Sequence, residues 1–290
     1  MLSMANVLST ADRTAVVAAL VEGCSIRATA RMTGVARNTV TKLLLDLAVV
    51  CAEYSREKLV NLPCKRLQVD EIWEFCYAKE KNVPADLKGR FGYGDVWTFC
   101  AIDADTKLVP SWLVGSRDIG SATELMQDLA GRLASRVQIT TDGLKAYLSA
   151  VEDAFGGEVD YAMLQKIYGA APTGPETRYS PAECIGAEKR CITGNPEERH
   201  VSTSYVERQN LTMRMSMRRF TRLTNGHSKK VENHVAAVAV HFAHYNFCRA
   251  HMSLGKGVTP AMAAGVETRK LEIADLIALL PYGEDKPRSK

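Results

Sequence analysis

An aspartate stands in the middle of the apolar run Leu67-Gln68-Val69-Asp70-Glu71-Ile72-Trp73, and that placement restricts the fold more than any other feature of the chain. Alternating β-branched and aromatic residues in so short a run read as a strand packed into a core. An ionised carboxylate left alone in such a place costs several kcal/mol, so it pairs, takes up a proton or binds a cation. A second acid, Asp142, closes the run Val137-Gln138-Ile139-Thr140-Thr141-Asp142-Gly143, and a third, Glu207, lies in Ser204-Tyr205-Val206-Glu207-Arg208-Gln209-Asn210, at the start of a basic helix. Dozens of positions separate the three, so only tertiary folding can gather them. Gathered, they would repel one another, and a divalent cation on their hard oxygens relieves that repulsion.

Other acids and the histidines read differently. Asp103 and Asp105 fall in the turn Asp103-Ala104-Asp105-Thr106, where aspartate is favoured by local hydrogen bonding. Glu71 follows Asp70 directly, and strand alternation sends it to the opposite face, away from a shared metal. His234, His241 and His244 lie in a largely apolar helical run and read as core histidines. His251 stands in the polar segment Tyr245-Asn246-Phe247-Cys248-Arg249-Ala250-His251-Met252-Ser253-Leu254, where contact with DNA or ordering of a catalytic region is expected. The eight cysteines form no CxxC pair, which excludes a zinc ribbon and leaves them as small hydrophobes.

Net charge is only +4, but its distribution is uneven. Arg208, Arg214, Arg218, Arg219, Arg222, Lys229 and Lys230 follow one another with no acid among them, forming an anion-attracting stretch. On a helix expected over 201–221, Glu207, Asn210, Arg214 and Arg218 share one face, while Val206, Met213, Met217 and Phe220 form the adjoining apolar stripe. Carboxylates beside guanidinium forks suit a site that holds a metal and polyanionic DNA together. The chemistry implied is two-metal phosphoryl transfer on nucleic acid. No membrane span and no leader sequence are expected, and the protein is expected in the cytoplasm.

The residues before Asn61-Leu62-Pro63-Cys64 read as three helices. Ser25 caps a short one that stops at Gly34, and the next carries Val40, Leu43, Leu44 and Leu47 inward. Two helices around a glycine turn, with Arg37, Asn38, Thr39 and Lys42 in front, are the pattern of a helix-turn-helix reading DNA. We therefore expect residues 1–62 as an all-α helix-turn-helix domain, 63–255 as an α/β catalytic domain, and 256–290 as a C-terminal helical tail. Within 63–255 the order is strand, strand, strand, helix, strand, helix, which matches a ribonuclease-H-like fold. The stretch from about 153 to 201 is broken by glycines and prolines and is expected as an irregular insertion.

Four runs carry a family resemblance: Gln68-Val69-Asp70-Glu71-Ile72-Trp73, Trp97-Thr98-Phe99-Cys100-Ala101-Ile102-Asp103-Ala104-Asp105-Thr106-Lys107, Asp142-Gly143-Leu144, and Ser202-Thr203-Ser204-Tyr205-Val206-Glu207-Arg208-Gln209-Asn210. Together they resemble the bacterial insertion-sequence DDE transposases, most of all the long, single-frame, insertion-sequence-one-like type. The segment from Tyr245 to Leu254 resembles a tail motif of integrase-type transposases. Shorter members of the family carry a cysteine zinc motif near the N-terminus; this chain has the helix-turn-helix pattern there instead. The resemblance spans most of residues 10–265. It implies Asp70, Asp142 and Glu207 as a catalytic, Mg²⁺-binding triad, with Mn²⁺ as a substitute. It also implies double-stranded DNA, as element ends and target, as the partner, and a homodimer or higher oligomer when the ends are paired. Two other readings stand beside it: a DNA-binding repressor with an inert catalytic domain, and a nuclease of the same fold that cuts without joining.

Overall fold

The computed structural model describes residues 8–169, 182–221 and 224–281. Three helices open the chain: α1 (Thr10–Val21), α2 (Ile26–Thr33) and α3 (Arg37–Lys58). The first two start on serines, Ser9 Oγ accepting the Asp12 N–H and Ser25 Oγ the Ala28 N–H. Each bond satisfies a donor that the first helical turn leaves open. Helix α2 stops at Gly34, whose φ of 72° is left-handed and is readily adopted only without a Cβ. Val40, Leu43, Leu44 and Leu47 are buried along α3, as the apolar stripe requires.

Six strands follow and form one sheet in the order β3-β2-β1-β4-β5-β6: β1 (Arg66–Cys76), β2 (Gly94–Asp103), β3 (Ser111–Gly115), β4 (Val137–Thr141), β5 (Val159–Tyr168) and β6 (Cys184–Thr193). Strand β1 is parallel to β4, β4 is parallel to β5, and β5 is antiparallel to β6. All five residues of β4 are buried, as befits a central parallel strand covered on both faces. Helices α4 (Ile119–Arg132) and α5 (Ala146–Phe155) flank β4 in sequence and pack on each other. Four more follow: α6 (Ser204–Ser216), α7 (Val231–Ala243), α8 (Pro260–Ala263) and α9 (Ile273–Ala278). The chain is mixed α/β. Among the described residues, no helix is long and apolar enough to cross a membrane.

Two expectations about these elements need correction. The stretch 153–201 is not irregular: it completes α5 and supplies β5 and β6, with 170–181 outside the described residues. Among the described residues of this stretch, Gly156 and Gly157 stand before β5, Gly169 after it, and Gly194 and Pro196 after β6, with Gly186 inside β6, so most of them punctuate structure without preventing it. The helix expected over 201–221 is α6 alone. Its backbone opens at Met217 (φ −129°, ψ 112°), and Arg218–Phe220 forms a separate 3-10 turn that keeps Met217 and Phe220 buried.

The compact units also divide differently from the expected domains. One comprises residues 1–60, 73–97 and 210–290; the other comprises 61–72 and 98–209. Within the first, α3 lies along α7, and α9 packs on α1 and α3. Leu271, Leu276, Ile277 and Leu280 are buried there, and Glu267 accepts a hydrogen bond from Tyr54 and pairs with Lys58 at 3.1 Å. The described part of 256–290 is thus built into the helical unit. Helix α9 is too short to show a periodicity in the sequence, and what holds it is burial against distant residues.

Candidate active site

Strands β1 and β4 pair in register from Arg66↔Gln138 to Val69↔Thr141. The next residue on each is an aspartate. Asp142 therefore follows the carboxyl end of β4, and Asp70, inside β1 at the point where its pairing with β4 stops, stands beside it. Carboxylate oxygens of Asp70, Glu71 and Asp142 lie within 4.8 Å of one another. Glu71 belongs to this cluster, contrary to the alternation argument. The β1–β4 ladder ends at Val69, and Asp70 Oδ1 turns back to accept the Glu71 N–H at 2.9 Å, so simple alternation no longer separates the two carboxylates. Glu71 is engaged on both oxygens: Oε1 accepts from Arg117 at 2.7 Å and Oε2 from the Tyr147 hydroxyl at 3.0 Å.

The third acid arrives on α6, whose first turn is tied to the sheet. Gln68 Oε1, buried on β1, accepts the N–H groups of Tyr205 at 2.7 Å and Val206 at 3.2 Å. On β4, the Gln138 amide exchanges two hydrogen bonds with the Glu197 backbone, at 2.8 and 3.3 Å. Two glutamines on neighbouring strands thus fix the approach to α6, a tertiary role that no local pattern signals. Glu207 Oε1 accepts from Thr203 Oγ1 at 2.6 Å and Oε2 from Lys166 Nζ at 2.5 Å. Its charge reaches both Asp70 and Asp142, though burial weighs more on each of them. Gln68→Ala should lower stability by about 1–3 kcal/mol, since it strands two amides of the first turn. Urea unfolding measures this, and an unchanged midpoint would mean that the turn holds without its anchor.

Burial pushes the Asp70 carboxyl up to about 8, and the nearby charges of Glu71, Asp142 and Glu207 add to that shift. Asp142 is raised for the same first reason, opposed by the Leu144 N–H and Arg117. Burial also raises Glu71, despite Arg117 and Tyr147. A cluster of hard oxygens whose ionised forms are disfavoured by burial and by each other suits a divalent cation. Asp70, Glu71 and Asp142 are the carboxylates close enough together to hold such an ion between them. Asp103 behaves as a turn residue, its Oδ2 accepting from Thr106 N and Oγ1 at 2.9 and 2.6 Å, and Asp105 pairs with Arg66.

The expected DNA-contacting residues all lie in the other compact unit. Arg37, Asn38, Thr39 and Lys42 are exposed at the start of α3. An open concavity beside them is also lined by Arg27 and Arg31 of α2, two cations the sequence reading passed over. Asn210 is buried, at 8% exposure. Arg214 is half-buried, and Arg218 is exposed on the 3-10 turn, off α6. The sequence around these arginines holds no acid, yet the structure supplies one: Glu74 of β1 is buried, and the charges of Arg214 and Arg219 act on it. His251 Nδ1 is paired with Ser253 Oγ at 2.9 Å. His234 and His241 are core residues held neutral by burial, both pushed down to about 3, and neither ring nitrogen of His241 has a hydrogen-bond partner among the described residues.

No family model matches the chain. No curated protein matches it either. Among solved structures, the chain is similar to the piggyBac transposase in a synaptic complex with hairpin DNA, at 13% identity and a TM-score of 0.38 over 93% of this chain and 70% of that one. It is also similar to the Mos1 strand transfer complex, at 12% identity and a TM-score of 0.25 over 97% of this chain and 82% of that one. Both scores and both identities are low, so the reading of the site rests on its own residues.

Proposed function

We propose that this chain is a metal-dependent DDE transposase with a ribonuclease-H-like catalytic unit, which binds the ends of its own element and cuts and joins DNA. The observation that carries this reading is the pair of aspartates side by side where the parallel pairing of β1 and β4 stops, within electrostatic reach of a glutamate anchored to the same sheet. In this reading Asp70 and Asp142 hold Mg²⁺, or Mn²⁺ in its place, and Glu207 completes the donor set. The bound ions would lower the pKa of an attacking water or 3′-hydroxyl and stabilise the departing oxygen. The residues' own contribution is placement: Gln68 and Gln138 fix the approach to α6, while Arg117 and Tyr147 hold Glu71 against the aspartates.

The helix-turn-helix reading of α2 and α3 supplies the recognition that joining needs and a bare nuclease does not. Arg37→Ala or Lys42→Ala should weaken binding to element-end DNA and lower the salt dependence by about one unit of slope each. An unaltered slope in both would make the first three helices structural. The deciding experiment is a strand-transfer assay on labelled DNA carrying the element ends, with and without Mg²⁺. Cutting without joining would favour the nuclease, and binding without either would favour the repressor.

A further inference from the structure

We infer that Lys166 competes with the divalent cation for Glu207, acting as a positioning residue that sets how tightly the catalytic unit takes up metal. This rests on the metal-site reading above. Strand β5 pairs with β4 only from Val159 to Met163. Beyond that point it runs on past Asp142 and pairs with β6 alone, as far as Tyr168. Lys166 lies on this projecting part, and its ammonium meets Glu207 Oε2 at 2.5 Å. Thr203 takes the other oxygen at 2.6 Å. Both oxygens of the third acid are therefore occupied, and Glu207 is absent from the group of carboxylates that lie within 4.8 Å of one another. A primary ammonium on a carboxylate does what a metal ion would do there: it neutralises the charge and fixes the direction of the lone pairs. An oxygen with two lone pairs can meet both, but the like charges of ammonium and metal ion repel, so each weakens the other's hold on the carboxylate.

The pair is only partly shielded, with side chains 31% and 39% exposed, so the ammonium can leave for water or for a phosphate at modest cost. The neighbourhood supports exchange over permanent pairing. Lys166 projects from a two-stranded arm whose β6 strand is exposed along most of its length, and a pair of strands without a covering layer holds its geometry weakly. Asp70, in contrast, lies within the interior strand β1 and Asp142 directly follows the interior strand β4, so neither has comparable freedom.

The test is Mn²⁺ binding to the full chain without nucleic acid, followed by calorimetry or by electron paramagnetic resonance of free Mn²⁺. Lys166→Met should tighten binding about fivefold, the upper range for a partly exposed ion pair. Lys166→Arg, which keeps the charge, should stay within about twofold of wild type. Glu207→Gln should weaken binding, and in that background Lys166→Met should have no effect beyond about twofold, because the competition has lost its object. Circular dichroism melting of each variant checks that the fold is intact. Unchanged or weaker Mn²⁺ binding in Lys166→Met would overturn this inference alone, the weaker case showing that the lysine props Glu207 toward the metal. Absence of any Mn²⁺ binding that Asp142→Asn removes would overturn the metal-site reading along with it.

Discussion

Asp142→Asn should abolish Mg²⁺-dependent cleavage and joining, by about a thousandfold or more, while DNA binding stays near that of wild type. Asparagine keeps the size and the hydrogen-bonding reach of the side chain, including an oxygen that can accept the Leu144 N–H as Asp142 Oδ1 does at 2.9 Å. What it removes is a charge just past the end of β4, beside Asp70 at the point where β1 stops pairing with β4. A cation held by carboxylates loses most of its affinity when one of the few charged donors becomes neutral. The measurement pairs a binding assay with a joining assay on the same substrate. Joining that persists undiminished in Asp142→Asn would show that another acid does this work, and Glu71, within 4.8 Å of both aspartates, would be the first to test.

The second large effect is on stability and needs no DNA. With its folded pKa raised to about 8 by burial and by three neighbouring acids, Asp70 keeps its proton in the native state at pH values where the unfolded chain has lost it. Between the ordinary carboxyl value of about 3.9 and about 8, the native state binds the extra proton, so metal-free stability falls as pH rises through that window and levels off above it. Asp70→Asn should flatten the fall and make the metal-free protein more stable than wild type at pH 8, by about 2–3 kcal/mol. Mg²⁺ should raise the wild-type melting temperature at pH 8 and leave Asp70→Asn much less affected. Urea unfolding in EDTA from pH 5 to pH 8 measures the first part. A wild-type profile as flat as that of the variant would mean that Asp70 is ionised and compensated within the fold.

These two effects pull in opposite directions, and that opposition is itself informative about the site. Neutralising an acid in the cluster should strengthen the fold and end the chemistry. Such a trade marks groups that are retained for what they bind, since burial and mutual repulsion work against them in the absence of a cation.

How much of this was legible beforehand depends on the range of the interaction. The cap at Ser25, the stop at Gly34, the buried stripe of α3 and the full burial of β4 were all readable, because each follows from residues within a turn or a strand of one another. Asp70 and Asp142 were readable as misplaced acids, since their cost arises from their immediate apolar neighbours. The stretch 153–201 was misread because glycine and proline mark ends and interruptions alike, and only pairing with β4 shows which applies. The membership of Glu71 depended on where the β1–β4 ladder stops, the anchoring of α6 on Gln68 meeting a helix far along the chain, and the grip of Lys166 on how far β5 outruns β4. By itself the sequence determined the helices α1 to α4, the strands β1 to β4 and which acids are too costly to be idle, for those are local free energies summed along the chain. Which groups meet at the site was decided only by the tertiary structure, because a contact between distant residues is set by register and packing, to which the whole sheet contributes and no single stretch of residues is sufficient.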